Sequence, residues 1–264
     1  MRYGLCTGDP LILRQLSEWG YDYAEIGART LLPFDDEATF APQRAALRQA
    51  GMSIEAMAGF IPESVPVIGS EVDWARVREY LTTTLGRAAE VGVKVVNWGS
   101  VQSRRVPPGW PMSRAWEQIE RAASLIAEIA QPLGIVIAIE SVNPLEANVL
   151  FYLPEAANLV ATVGAPNLRL NLDYYHCLKQ NEPTAHLEAV APLIVHTHTS
   201  DDGRRFPLLG AWDQRPFLEF LERIGYRGRL SFEVRDPGPR SFAEAAELSV
   251  RRMRELERVV ATEA

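Results

Sequence analysis

The segment LIVHTHTSDDGR, residues 193–204, holds two of the chain's four histidines two positions apart, followed by two aspartates and an arginine. An apolar run that ends in imidazoles and carboxylates marks a buried strand reaching a reactive surface. Three other runs end in the same way: IVIAIE in Glu140, LRLNLD in Asp173 and RLSFE in Glu233. Three carboxylates brought to one place repel one another unless a cation lies between them. With His198 they form an O/N donor set free of thiolate. Such a set suits Mn²⁺, Co²⁺ or Mg²⁺, admits Zn²⁺, and argues against a structural zinc site. A single acidic residue at a strand end is more often a helix cap or an ion-pair partner. Recurrence at four consecutive strand ends singles these four out.

The elements that must carry them alternate along the chain. Strand-like runs fall at 3–6, 23–27, 53–58, 93–99, 134–141, 168–173, 193–198 and 229–234. Helical patterns lie between and after them, at 10–19, 36–50, 73–91, 113–132, 154–163, 183–190, 214–224 and 242–260, with Ser113 read as an N-cap and Glu117 near the reciprocal position. Strands separated by helices pair in parallel. No GxGxxG follows the first strand, so an open dinucleotide-binding sheet has no fingerprint. The pattern predicts an α/β protein, a single (β/α)8 TIM barrel spanning residues 1–264 as one domain. In such a barrel the active site sits at the C-terminal ends of the strands, where all four ligand candidates fall. Side chains at i and i+2 share a face, so His196 points inward beneath His198 and is placed to hydrogen-bond a ligand carboxylate from below. His186, within EPTAHLEAV, reads as a residue of a solvated helix face.

Of the 264 residues 47 % are apolar, enough for a large core, and the net charge of −7 argues against nucleic acid as a partner. Only Cys6 and Cys177 are present, with no paired spacing, which points to a reducing cytosol. The start, MRYGLCTGDP, has no signal-like apolar region, and no apolar stretch approaches the ~18 residues of a membrane span.

The segments IESVNPLE (139–146), LDYYH (172–176), HTHTSDDGR (196–204) and SFE (231–233) resemble the xylose-isomerase-like barrel superfamily of sugar and sugar-phosphate isomerases and epimerases. Their spacing is nearest to that of the ketose 3-epimerases. The likeness in motifs covers about residues 135–235. It implies Glu140, Asp173, His198 and Glu233 as ligands of one divalent ion, with Glu140 and Glu233 as the acid/base pair. It also implies Glu146, His176 and Arg204 as substrate contacts. The segments 144–152 (PLEANVLFY) and 205–214 (RFPLLGAWDQ) depart from the family's usual loops, and these shape the pocket.

The implied chemistry is general. A divalent ion chelated by a substrate carbonyl and the adjacent hydroxyl acidifies the C–H between them and stabilises the developing enediolate. One carboxylate removes that proton, and a carboxylic acid on the opposite face returns one. His176 and Arg204 would face the developing charge, and Glu146 would orient a hydroxyl. The expected substrate is a small ketose or keto-polyol, and the resemblance favours a homo-oligomer. A lyase or dehydratase of a cyclic or keto-polyol, inosose-dehydratase-like, is the alternative, since it begins with the same proton abstraction. An endonuclease IV-type repair enzyme shares the barrel but uses many histidines and would meet an acidic surface here. A non-catalytic binding protein would have no need of the intact quartet. Trp98 and Trp110, like Phe60 and Trp212, either pack on a sugar face or are rim and interface aromatics. Arg104 and Arg105 read as a solvated loop pair, since no glycine-rich phosphate cradle accompanies them.

Overall fold

In the computed structural model, which describes residues 1–263, eight parallel strands follow one another in chain order around a closed barrel. They are β1 (Arg2–Cys6), β2 (Tyr23–Gly27), β3 (Ile54–Ala58), β4 (Val95–Trp98), β5 (Val136–Glu140), β6 (Leu168–Asp173), β7 (Ile194–Thr199) and β8 (Arg229–Phe232). The ring closes where β1 pairs with β8, from Arg2↔Arg229 to Leu5↔Phe232. The (β/α)8 TIM barrel expected from the alternation is the architecture observed.

The helices are α1 (Pro10–Leu13), α2 (Leu16–Trp19), α3 (Glu37–Arg48), α4 (Trp74–Val91), α5 (Met112–Ala130), α6 (Leu153–Val163), α7 (Tyr174–Lys179), α8 (Thr184–Val190), α9 (Arg215–Arg223) and α10 (Phe242–Glu263). Local chemistry sets their ends. Asp73 caps α4 by accepting from the amides of Ala75 and Arg76, and Gly92 ends it at a φ of 103° that favours glycine. Along α5, Ala115, Ile119, Ala122, Ile126 and Ala130 recur at helical spacing and are buried against the barrel.

Three helix boundaries differ from the sequence reading. Ser113 is not the cap of α5: the extended Pro111 precedes the helix, which starts at Met112, and Ser113 lies in its first turn. The pattern at 10–19 is two short helices broken at Arg14–Gln15. A helix directly after β6 was not expected. It forms because Asp173, the last residue of the strand, caps it by accepting from the Tyr175 amide at 2.8 Å.

The register sorts side chains into two faces. Pairs such as Glu25↔Ala56, Asn97↔Ala138, Glu140↔Asn171, Asp173↔His198 and His198↔Ser231 share one parity, which faces the barrel interior. The opposite parity, including Leu5, Ile26, Val96, Ile139, Leu172 and Phe232, joins the apolar core beneath the helices. Low in the interior, the Tyr23 hydroxyl reaches Ser231 Oγ at 2.7 Å. Its ring crosses β1 at Gly4, where an added Cβ would come within 2.3 Å of a ring carbon. Glycine there is a requirement of space.

The bottom of the barrel is tied by Glu55, which accepts from Arg2 Nη1 at 2.6 Å and from Arg229 Nε at 2.8 Å. Burial pushes the Glu55 carboxyl up, but the two arginines outweigh it and hold it below its usual value. A carboxyl lowered on folding stabilises the fold above its unfolded pKa, and that contribution is lost as pH falls through the folded value. Glu55→Gln is therefore expected to lower unfolding free energy at pH 7 by about 1 kcal/mol. Urea titrations of both proteins at a series of pH values should show the gap shrinking below pH ~4. A gap that persists undiminished in acid would contradict this.

Candidate metal centre

At the C-terminal rim, Glu140, Asp173, His198 and Glu233 each offer a ligand atom within 4.8 Å of the others. Glu140 and Asp173 end β5 and β6, and His198 is the penultimate residue of β7, all three on the inner face. Glu233 follows the last residue of β8, and its amide still bonds to the Thr199 carbonyl at 3.1 Å, so it stays in strand register. Glu140 is held on both oxygens: Asn97 Nδ2 donates to Oε2 at 3.0 Å and Asn171 Nδ2 to Oε1 at 2.8 Å. Gly99 leaves room for it, since a Cβ there would lie 1.7 Å from Oε2.

The His198 ring is fixed by its far nitrogen. Nε2 lies 3.0 Å from Glu25 Oε1, while Nδ1, buried and without a hydrogen-bond partner, faces Glu140 at 3.5 Å and Glu233 at 3.7 Å. A ring nitrogen free of hydrogen bonds and aimed at carboxylates fits a metal ligand whose other N–H is pinned by a carboxylate. The donor set thus fits a hard or borderline divalent ion. Burial pushes the His198 imidazole down, but Glu25, Glu140 and Glu233 outweigh it and hold it well above its ordinary value. Burial likewise pushes Glu25 up, and His198 and His196 together hold it well below.

His196 lies one layer deeper, as the strand period requires, but its partner differs from the expected one. Its Nε2 meets Glu25 Oε2 at 2.8 Å, and no ligand carboxylate bonds to it among the described residues. The reason is the β2 side of the barrel: Glu25, fully buried in YAEIG, fills the space beneath His198. Cys6 also comes within 4.8 Å of Glu25 and His198. Burial holds its thiol well above the ordinary value, so it remains neutral.

Arg204 lines the cavity and also touches two of the four ligand candidates. Its Nη1 lies 2.8 Å from both Asp173 Oδ2 and Glu233 Oε2, and Nη2 is 3.0 Å from His176 Nε2. Its guanidinium carbon sits 3.9 Å from the centre of the Tyr175 ring. The preceding loop turns it inward: Gly203 and Arg204 adopt φ of 70° and 58°. Asp201 anchors that loop by accepting from the amides of Asp202, Gly210, Ala211 and Trp212. Asp202 points outward to Lys179 at 2.7 Å. Against these groups, burial pushes the Asp173 carboxyl up while Arg204 and His176 bring it below its usual range. Glu233 shows the same balance, with Arg204 and His198 holding it low.

Above the cluster opens a cavity of about 640 Å³, walled by Glu140, Glu146, His176, Arg204 and Glu233 among others. Glu146 is exposed and held by Asn143, whose Nδ2 lies 3.1 Å from Glu146 Oε1 and 2.7 Å from His176 Nδ1. All the sequence-selected site residues except His196 therefore border one cavity or its floor. The aromatic platform is not there: Trp98 and Phe60 are fully buried in the core, and neither Trp110 nor Trp212 lines the cavity. Arg104 is not solvated either. It is buried, donating to the carbonyls of Trp98 at 2.8 Å and Glu140 at 2.7 Å, which ties the ends of β4 and β5 together. Desolvation pulls its guanidinium down to about 10. His186 is partly buried against Glu182, 3.2 Å away. No helix among the described residues is long and apolar enough to cross a membrane.

Comparison with known proteins places this geometry. A family model described as xylose isomerase-like TIM barrel matches residues 13–256. A D-psicose 3-epimerase of Agrobacterium fabrum is 24 % identical over 226 residues, 84 % of this chain and 77 % of that protein. A ketose 3-epimerase of Arthrobacter globiformis is 27 % identical over 226 residues, covering 84 % and 75 %. Among solved structures, a D-psicose 3-epimerase crystallised in the presence of D-fructose superimposes with a TM-score of 0.83 at 19 % identity, covering 99 % of each chain.

Two outcomes test the centre. Glu25, Glu140 and Glu233 hold the His198 imidazole above its ordinary value in the ion-free protein, so a divalent ion there competes with a proton, and its binding releases protons and weakens as pH falls. Calorimetric titration of Mn²⁺ in buffers of different ionisation enthalpy measures that release. His198→Ala should lose the ion, whereas His196→Ala, which removes a neighbour of Glu25 and of His198 Nε2, should bind it about 10–100-fold more weakly. Equal affinities in the two variants would refute this division of roles.

Proposed function

Since the chain belongs to the xylose isomerase-like TIM barrel family, we propose that it is a divalent-metal-dependent epimerase or isomerase of a ketose or related keto-polyol. The observation that carries this reading is the convergence of Glu140 and Glu233, from strands on either side of His198, on one cavity above the unpartnered His198 Nδ1. The similar proteins named as ketose 3-epimerases support it, and none of the relatives named above is a dehydratase.

Glu140, Asp173, Glu233 and His198 Nδ1 would hold the ion. When bound, a divalent ion there supplies the Lewis acidity that makes a C–H beside a carbonyl removable near neutral pH. Mn²⁺, Co²⁺ or Mg²⁺ suits the carboxylate-rich donors best. Glu233, kept ionised by Arg204, takes the α proton from one face of the substrate. Glu140, positioned by two asparagine amides on the other side, would enter the cycle as the carboxylic acid and give its proton to the opposite face, and the two carboxyls would regain their starting states by exchange with solvent or by running the reaction in reverse. Arg204, whose Nη2 is positioned by His176 Nε2 at 3.0 Å, offers N–H donors to the oxygens that gain charge. Glu146 on the rim accepts from a substrate hydroxyl and sets its orientation. The free thiols Cys6 and Cys177 fit a cytosolic enzyme.

A chelator is expected to abolish turnover, and Mn²⁺, Co²⁺ or Mg²⁺ to restore it. Chelation should also lower the Tm, because an ion bound only to the folded state stabilises it by mass action. Full activity in ion-free protein would end the proposal. The two-carboxylate mechanism has its own test. Glu140→Gln and Glu233→Gln, each at full metal occupancy, should both stop epimerisation. Deuterium incorporation from solvent, measured for each epimer separately, should survive for one epimer in one variant. Wild-type turnover in either glutamine variant would rule the mechanism out.

A further inference from the structure

The rim carries a second cavity of about 690 Å³ on the β1–β2 side. It meets the first at Ala58, Gly59, Pro62, Glu233 and Arg235, which line both. The first lobe, at about 640 Å³, already has the size of a complete small-molecule site. A substrate anchored over Glu233 therefore has a further compartment open to it. The chemistry of that compartment follows from which of its charges are already committed.

Four arginines line the two lobes: Arg29, Arg105, Arg204 and Arg235. Arg204 is bound to Asp173 and Glu233. Arg105 donates to Gln102 Oε1 at 3.1 Å and to the Glu146 carbonyl at 3.2 Å. Arg29 and Arg235 both line the second lobe, and among the described residues their side chains make no hydrogen bond or ion pair. Neighbouring Arg205, by contrast, is paired with Asp236 at 3.0 Å. Neither carboxylate of the second lobe pairs with the two guanidiniums. Asp9 accepts from the Leu11 amide through Oδ1 at 2.8 Å and makes no ion pair with either arginine, and Glu233 meets Arg204 at 2.8 Å. Unpaired arginines also occur on outer helices. What distinguishes these two is that they face one compartment continuous with the proposed centre.

We propose that the substrate carries an anionic group, a phosphate or a carboxylate, at the end of its carbon chain remote from the reacting carbonyl, and that Arg29 and Arg235 receive it in this second lobe. Guanidinium forks match the oxygens of either group, and charge-assisted hydrogen bonds are the strong ones. Gly8, Gly27 and Gly59 thin the lobe's walls, while Ile12 and Phe242 give it an apolar side for the intervening carbon chain. The proposal rests on the epimerase reading and narrows it to a charged ketose.

The experiment compares kcat/KM for α-proton exchange on three substrates: a neutral ketose, its terminal phosphate ester and its terminally oxidised carboxylate. These are assayed with the metal-loaded wild type and with the Arg29→Ala/Arg235→Ala double variant. One anionic substrate is expected to exceed the neutral ketose by about tenfold or more in the wild type, and its identity distinguishes phosphate from carboxylate. The double variant should erase that advantage through KM while leaving the neutral ketose unchanged. Exchange with no preference for an anion, or an equal loss on charged and neutral substrates in the variant, overturns this proposal and leaves the epimerase reading standing. Absence of exchange with every ketose overturns both.

Discussion

Three carboxylates share one buried corner of this barrel, and their mutual repulsion is the constraint the site is built around. Glu140, Asp173 and Glu233 lie within reach of a single imidazole nitrogen. Like charges so close are tolerated only with positive charge among them. The chain supplies part of it itself. Arg204 is buried against two of the three, held by a loop that turns through two consecutive left-handed residues and is anchored on Asp201. A backbone conformation uncommon for a residue with a side chain persists because the surrounding contacts determine it.

The same need extends one layer down. Glu25 carries a negative charge with no solvent access, and His196 and His198 are its partners. Glu25 in turn decides which nitrogen of His198 is left for the rim. Glu140 is oriented from the sides by Asn97 and Asn171, and its backbone carbonyl is gripped by Arg104. Precision at the rim thus comes from rigid strands and from polar groups beneath and beside the ligand candidates.

Much of this was legible in the sequence. The alternation of apolar runs and helical patterns defined the barrel, and the four strand ends defined the quartet, because both are local, periodic signals. Glu25 was not recognised, although a glutamate inside YAEIG was visible. Its meaning depends on an interior contact with β7, 171 residues further on. Asn97 and Asn171 were missed for the same reason: each sits one inward position short of the rim, where an amide could equally be filler. Arg104 was misread because a loop arginine has no periodic signature of burial, and only loop 99–111 over the ends of β4 and β5 puts it inside; Trp98 shares the parity of Val96 and joins the core beneath the helices.

Below the site the barrel is stoppered. Tyr23, Glu25, Ala56, His196 and Ser231 are fully buried, and Arg2, Glu55 and Arg229 bind across the far end. The interior is a blind alley with one doorway, not a tunnel. Reactant and product must use the same entrance, one molecule at a time. Each therefore excludes the other from the vacant enzyme, and the direction of net flow is set by their relative amounts outside the door.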